Sequence, residues 1–145
     1  MTRLAPSVLL LLALGACASV PMAGPQANQE GKRFDPPATG SGAVYVYRPG
    51  WMALARTADV GVAGGYHAEL APDTYFRLEG PPGPIDLVCK ADNTAEQQID
   101  VRSGEIRYVE VVMNAGLWGA QCSLREVAPN EGQSAVLRSK RVTPH

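Results

Sequence analysis

Three cysteines, two histidines and a scatter of carboxylates are the residues in this 145-residue chain that could do chemistry. Cys89 lies in the run Ile85 to Lys90, where Ile85, Leu87 and Cys89 share one face and Asp86, Val88 and Lys90 the other. Cys122 shares a face with Leu124. Both thiols therefore point toward the expected core, as an internal disulfide requires. The competing arrangement is two buried free thiols. Closing a loop of 33 residues stabilises a fold by roughly 3 to 4 kcal/mol in the chain-entropy model. Nothing basic flanks both positions, so a reactive thiolate is not expected.

The remaining chemistry-bearing residues do not form a set. A zinc site needs three or four ligands in fixed geometry. Only His67 and His145 are available, and His145, the last residue given, is expected to be disordered. With Cys89 and Cys122 bridged, no metal and no cofactor are expected. No Ser stands in a Gly-x-Ser-x-Gly elbow. Gly61, Gly64 and Gly65 precede no helix whose N-terminus could receive phosphate. Asp59, Glu69, Asp73 and Glu79 fall in separate runs and read as turn and edge carboxylates. The chain reads as a non-enzyme.

Binding is better served. Arg48 to Arg56 places Arg48, Trp51, Met52 and Leu54 in a loop between strands, an interface composition unless the loop folds back to cap the domain. Trp118 sits in the Gly-rich connection from Asn114 to Gly119. The tail Arg138-Ser-Lys-Arg141 is basic; it complements a helix C-terminus, or else contacts anionic lipid or cell-wall material.

The elements that must position these residues are strands. Val44 and Val46 alternate with Tyr45 and Tyr47 in the run 42 to 48. Further runs are Ala58 to Val62, Tyr66 to Leu70, Thr74 to Leu78, Ile85 to Lys90, Gln97 to Arg102, Glu105 to Met113 and Gln121 to Val127. Pro81 to Pro84 cannot lie inside a central strand. Ser103-Gly104 reads as a tight hairpin loop. About 7 to 8 strands in residues 41 to 128 predict an all-β fold, a small immunoglobulin-like β-sandwich. A short C-terminal helix is expected over Glu131 to Arg138 with Asn130 as N-cap, followed by the basic tail, within 129 to 145. Gly132 weakens that helix.

Composition agrees. Fifteen Gly and twelve Pro favour frequent turns over a helical bundle. A net charge of -1, from 13 basic and 14 acidic residues, gives no reason for a nucleic-acid partner.

The N-terminal residues place the chain in a cell. Arg3 precedes an apolar run from Val8 to Leu14, then Gly15 and Ala16: a secretory signal over residues 1 to 16, too short to span a membrane. Leu14-Gly15-Ala16-Cys17 resembles the lipobox of bacterial lipoproteins. That resemblance implies cleavage before Cys17, a diacylglyceryl thioether on its sulfur and, commonly, an acylated N-terminus. Two or three acyl chains anchor stably where one does not. Cleavage after Ala18 by the ordinary signal peptidase is the alternative. Ala18 in the second mature position, rather than Asp, resembles the sorting signal for the outer membrane, facing the periplasm. Disulfides persist there. Residues 17 to 40 complete this reading as a lipidated N-terminus and flexible tether, rich in Pro, Gly, Ala, Gln and Asn, with a reach of a few tens of ångströms.

The run Ala43-Val-Tyr-Val-Tyr-Arg-Pro49, Leu70-x-Pro-x-Thr-Tyr-Phe76, the Pro82-Gly83 turn and Tyr108 after Ser103-Gly104 look like an uncharacterised bacterial lipoprotein family, that of domain of unknown function 2846. The resemblance covers residues 41 to 128. It implies a small β-sandwich with no established activity and no catalytic residues to carry over. The expected function is a membrane-anchored interaction module whose partner is another envelope protein or cell-wall component. The alternatives are a carrier of a small apolar or glycan ligand and, third, a hydrolase.

Overall fold

Tyr45 and Tyr47 point away from Val44 and Val46, and both pairs are buried: strand β1 (Gly42–Arg48) has no exposed face. A strand buried on both sides needs a layer on each. The computed structural model, which describes residues 19–50, 53 and 55–145, shows what those layers are.

Eight further strands follow in chain order: β2 (Ala58–Val62), β3 (His67–Leu70), β4 (Thr74–Gly80), β5 (Gly83–Lys90), β6 (Thr94–Val101), β7 (Ile106–Gly116), β8 (Gly119–Val127) and the short β9 (Lys140–Arg141). They form two sheets, ordered β8-β7-β1-β4-β9 and β3-β2-β5-β6. The all-β sandwich read from the sequence is the fold adopted. Two helices, α1 (Pro25–Gly31) and α2 (Pro129–Arg138), lie against the outer face of the five-stranded sheet. No helix among the described residues is long and apolar enough to cross a membrane.

Between the sheets, Val44, Val46, Phe76, Val109 and Val111 meet Val60, Leu70, Leu87 and Ile99, with Cys89 and Cys122 among them. On the other side of β1, Tyr45, Tyr47, Tyr75 and Tyr108 form a second cluster with Val136 of α2. Tyr45 stacks on Tyr108 with ring centroids 5.4 Å apart. Burial pushes the phenols of Tyr47 and Tyr75 up to about 12 and raises those of Tyr45 and Tyr108 as well.

Gly132 in α2 shows why a weak helix former stands there. A Cβ would fall 2.4 Å from Cβ and Cγ of Tyr108, so the helix backbone itself packs on the ring. The helix starts earlier than expected, at Pro129 with Ala128 as N-cap and no side-chain cap. Proline suits that first position because its missing N–H has no partner to lose.

Two expectations need correction. Ser103-Gly104 does turn the chain, with Gly104 at φ 78°, but it is not a hairpin loop. Strand β6 belongs to the four-stranded sheet, while β7 crosses to the other and pairs in parallel with β1. The turn is fastened to that neighbour instead: Gly104 N–H donates to Ser41 O and Ala43 N–H to Glu105 O. One of the prolines of 81 to 84 also lies in strand, against expectation. Pro84 is in β5, opposite Asp100 of β6, but β2 joins β5 only from Leu87 onward, so the missing N–H breaks no ladder.

The larger correction concerns residues 17 to 40. From Ser19 on they are not a flexible tether. Val20 enters the inter-sheet core, Met22 bridges Val142, and α1 lies over the tyrosine cluster. Tyr45 Oη donates to Gly31 O at 2.7 Å and Tyr75 Oη to Asn28 O at 3.1 Å. Phe34 packs tilted against Tyr45, centroids 5.5 Å apart. A linker-like composition is overruled by contacts that only the folded sheet supplies.

Candidate functional site at the loop end

One end of the sandwich gathers the end of β1, the start of β4, the β7–β8 turn and the β5–β6 turn. Registers place them together: Arg48 lies opposite Thr74, Gly116 opposite Gly119, Asp59 opposite Lys90. Ser19 belongs to the same end. It lines one surface depression with Arg56, Thr57 and Asp92 and another with Ala71, Asp73 and Lys140.

Arg48 organises this end from inside. As the last residue of β1 it is fully buried, not a binding-loop residue. Its Nη1 donates to Leu70 O at 2.9 Å and to Arg56 O, and its Nη2 to Ala53 O at 2.7 Å. The guanidinium thus holds the loop after β1 against the turn after β3. Burial lowers its pKa. The other candidates in that loop, Trp51, Met52 and Leu54, lie outside the described residues, as does Cys17.

The β5–β6 turn clamps β8. Asp92 accepts from Ala120 N–H at 2.7 Å and pairs with Arg56. The Ala120 hydrogen bond, then that of Arg56, hold the Asp92 carboxyl below its usual range. Asn93 accepts from Cys122 N–H at 2.8 Å and donates to Cys122 O at 2.9 Å. Just beneath, Cys89 of β5 and Cys122 of β8 form the disulfide, with Cα atoms 6.3 Å apart, and join the two sheets.

Beyond this clamp the β7–β8 hairpin projects. Leu117 is 97% exposed and Trp118 93% exposed. Among the described residues Trp118 caps nothing; it stands in solvent at the tip. Large apolar side chains this bare are informative where they adjoin, since scattered single ones are ordinary.

A second cluster was missed in the sequence because His145 was expected to be disordered. The chain after β9 instead runs beside β3: His145 N–H donates to His67 O at 3.1 Å, and the two rings meet edge-on with centroids 4.5 Å apart. Ligand atoms of Asp59, His67 and His145 lie within 4.8 Å of one another. One carboxylate and two imidazoles suit a divalent transition ion. Lys90 lines the same depression as Asp59 and His67, and Asp59 Oδ1 is buried without a hydrogen-bond partner. Among the other carboxylates, Glu69 is opposite Asp59 and accepts from Thr57 Oγ1 at 2.6 Å, while Glu79 accepts from Ala38 N–H at 2.7 Å. The basic tail does structural work: Arg141 Nη1 donates to Ala27 O at 3.1 Å, and Arg138 Nη1 to Ser134 Oγ at 2.8 Å.

No family model and no solved structure matches the chain. An uncharacterized protein of Haemophilus influenzae is 25% identical over 135 residues, covering 92% of this chain and 80% of the relative.

Proposed function

We propose that this is a non-enzymatic lipoprotein of the bacterial envelope, anchored through Cys17 to the outer membrane and facing the periplasm. Its sandwich acts as an interaction module through the loop end. The observation that carries the reading is the pairing of a bare apolar tip, Leu117 and Trp118, with a rigid support. Behind the tip stand the Asp92 and Asn93 clamp and the Cys89–Cys122 bridge. Such a bridge suits an oxidising compartment, which the lipobox-like Leu14–Cys17 also requires. The likeness of residues 41 to 128 to domain of unknown function 2846 supports a lipoprotein without a carried-over active site.

The filled space between the sheets favours an interaction role over an interior carrier, which needs a cavity of several hundred cubic ångströms. Val44, Val46, Phe76, Leu87 and the disulfide occupy that space.

Intact mass of the mature protein from membranes tests the anchor. The expected chain starts at Cys17 and carries diacylglycerol; a soluble chain starting at Ser19 without lipid would refute it. A photo-reactive residue at position 118 in living cells tests the module. Adducts with an envelope component are expected there and not from a probe at exposed Gly40, beyond the opposite end of β1. Equal labelling from both positions would remove the loop end from the function.

A further inference from the structure

We infer that the occupant of the loop end is a lipid surface: the hairpin tip at Leu117 and Trp118 rests in the headgroup layer of the bilayer that holds the Cys17 acyl chains. The inference takes the lipid-anchored reading above as its premise and names the partner of that site.

The first argument is the length of the leash. Only Ala18 stands between Cys17 and Ser19. Two peptide steps span at most about 7 Å. Ser19 lies on the loop end, and Val20 behind it is only 8% exposed, packed in the core. A sulfur atom held in the bilayer therefore draws this end, not the opposite one, onto the membrane. The reach of a few tens of ångströms expected for a free tether does not exist once residues 19 to 40 are folded onto the sandwich.

The second argument is the tip, independent of the first. Arg56 lines the Ser19 depression and pairs with Asp92, which accepts from Ala120 next to the tip. Anchor point and tip are thus neighbours on one end. Strand β7 continues from Glu110, level with Tyr47, to Gly116. That run is roughly 20 Å at the rise of a strand, so the tip reaches well past the end of β1. From Asn114 to Gln121 the hairpin carries no charge, so seating it in headgroups desolvates no ion. Tryptophan prefers that layer because its ring is apolar and its N–H finds water or lipid oxygen. Apolar groups of surface-bound elements sink about 5 to 10 Å there, a depth suited to a two-residue tip.

The test uses the full chain carrying Trp51→Phe, which leaves Trp118 as the single tryptophan. The mature protein from membranes is reconstituted in phosphatidylethanolamine and phosphatidylglycerol vesicles, with and without bromine on the acyl chains. Brominated lipid is expected to quench most of the Trp118 emission, and aqueous iodide to quench little. Emission indifferent to bromine and open to iodide would overturn the inference. So would emission that changes only when a soluble envelope protein is added, since the occupant would then be protein. Mass on the same sample reports the acyl chains separately. A chain lacking them removes the anchor reading, yet quenching of that chain by brominated lipid would still support docking, and its absence would overturn it. In flotation with these vesicles, Trp118→Ala without acyl chains should lose about tenfold or more in partitioning, given the apolar area of one aromatic side chain. Its melting temperature should not move.

Discussion

The two faces of β1 are held by different physics. Toward the four-stranded sheet, Val44 and Val46 meet aliphatic side chains, and a covalent bridge ties the layers. That contact is non-directional, proportional to buried area and tolerant of shape-conserving exchange. Toward the helices, Tyr45, Tyr47, Tyr75 and Tyr108 bring rings with polar ends. Two of their hydroxyls donate to backbone carbonyls of α1, so this layer is directional. The apolar side builds the sandwich. The tyrosine side captures α1 and Phe34 and turns a linker-like sequence into part of the fold.

Alkali should break the tyrosine side first and most completely. The Tyr47 and Tyr75 phenols are raised to about 12, chiefly by burial, so the folded state holds their protons more tightly than the unfolded chain. The stability this contributes is intact below the ordinary phenol pKa near 10 and is lost as pH rises through about 12. Phenolate absorbance and loss of aromatic circular dichroism should therefore appear together in that window. Phenols titrating near pH 10 with the dichroism unchanged would show that these rings are not buried.

The apolar side is broken by removing the bridge. The double exchange Cys89→Ala and Cys122→Ala opens a loop of 33 residues and should cost roughly 3 to 4 kcal/mol in urea unfolding. An unchanged midpoint would mean that packing alone holds the sheets. The smallest effect sharpens the contrast. Gly132→Ala drives a methyl against Tyr108 and should cost about 1 to 3 kcal/mol by overpacking. Hydrogen exchange should then rise in α2 and on the neighbouring α1 before it rises in β5 and β6. Uniform acceleration would make the two layers one cooperative unit.

What was legible in the sequence was whatever alternation alone decides. The period of two in 42 to 48 separated valines from tyrosines, and the same period in 85 to 90 aimed Cys89 inward. What was not legible depends on partners distant in the chain. Ser103-Gly104 looks like any hairpin turn, because nothing local says that β6 and β7 belong to different sheets. Arg48 continues the alternation, but its burial depends on carbonyls of Ala53, Arg56 and Leu70. The seven-residue α1 is too short to show a helical period. His145 could be found only through the strand beside which it lies.

The pairing of Met22 with Val142 has a temporal side. Ala23 N–H donates to Arg141 O and Thr143 N–H to Pro21 O, so the earliest described residues complete their hydrogen bonds only with the latest. A chain delivered N-terminus first holds residues 20 to 23 unsatisfied until nearly all the rest has arrived. The segment from 20 to 23 is therefore the final seam to close.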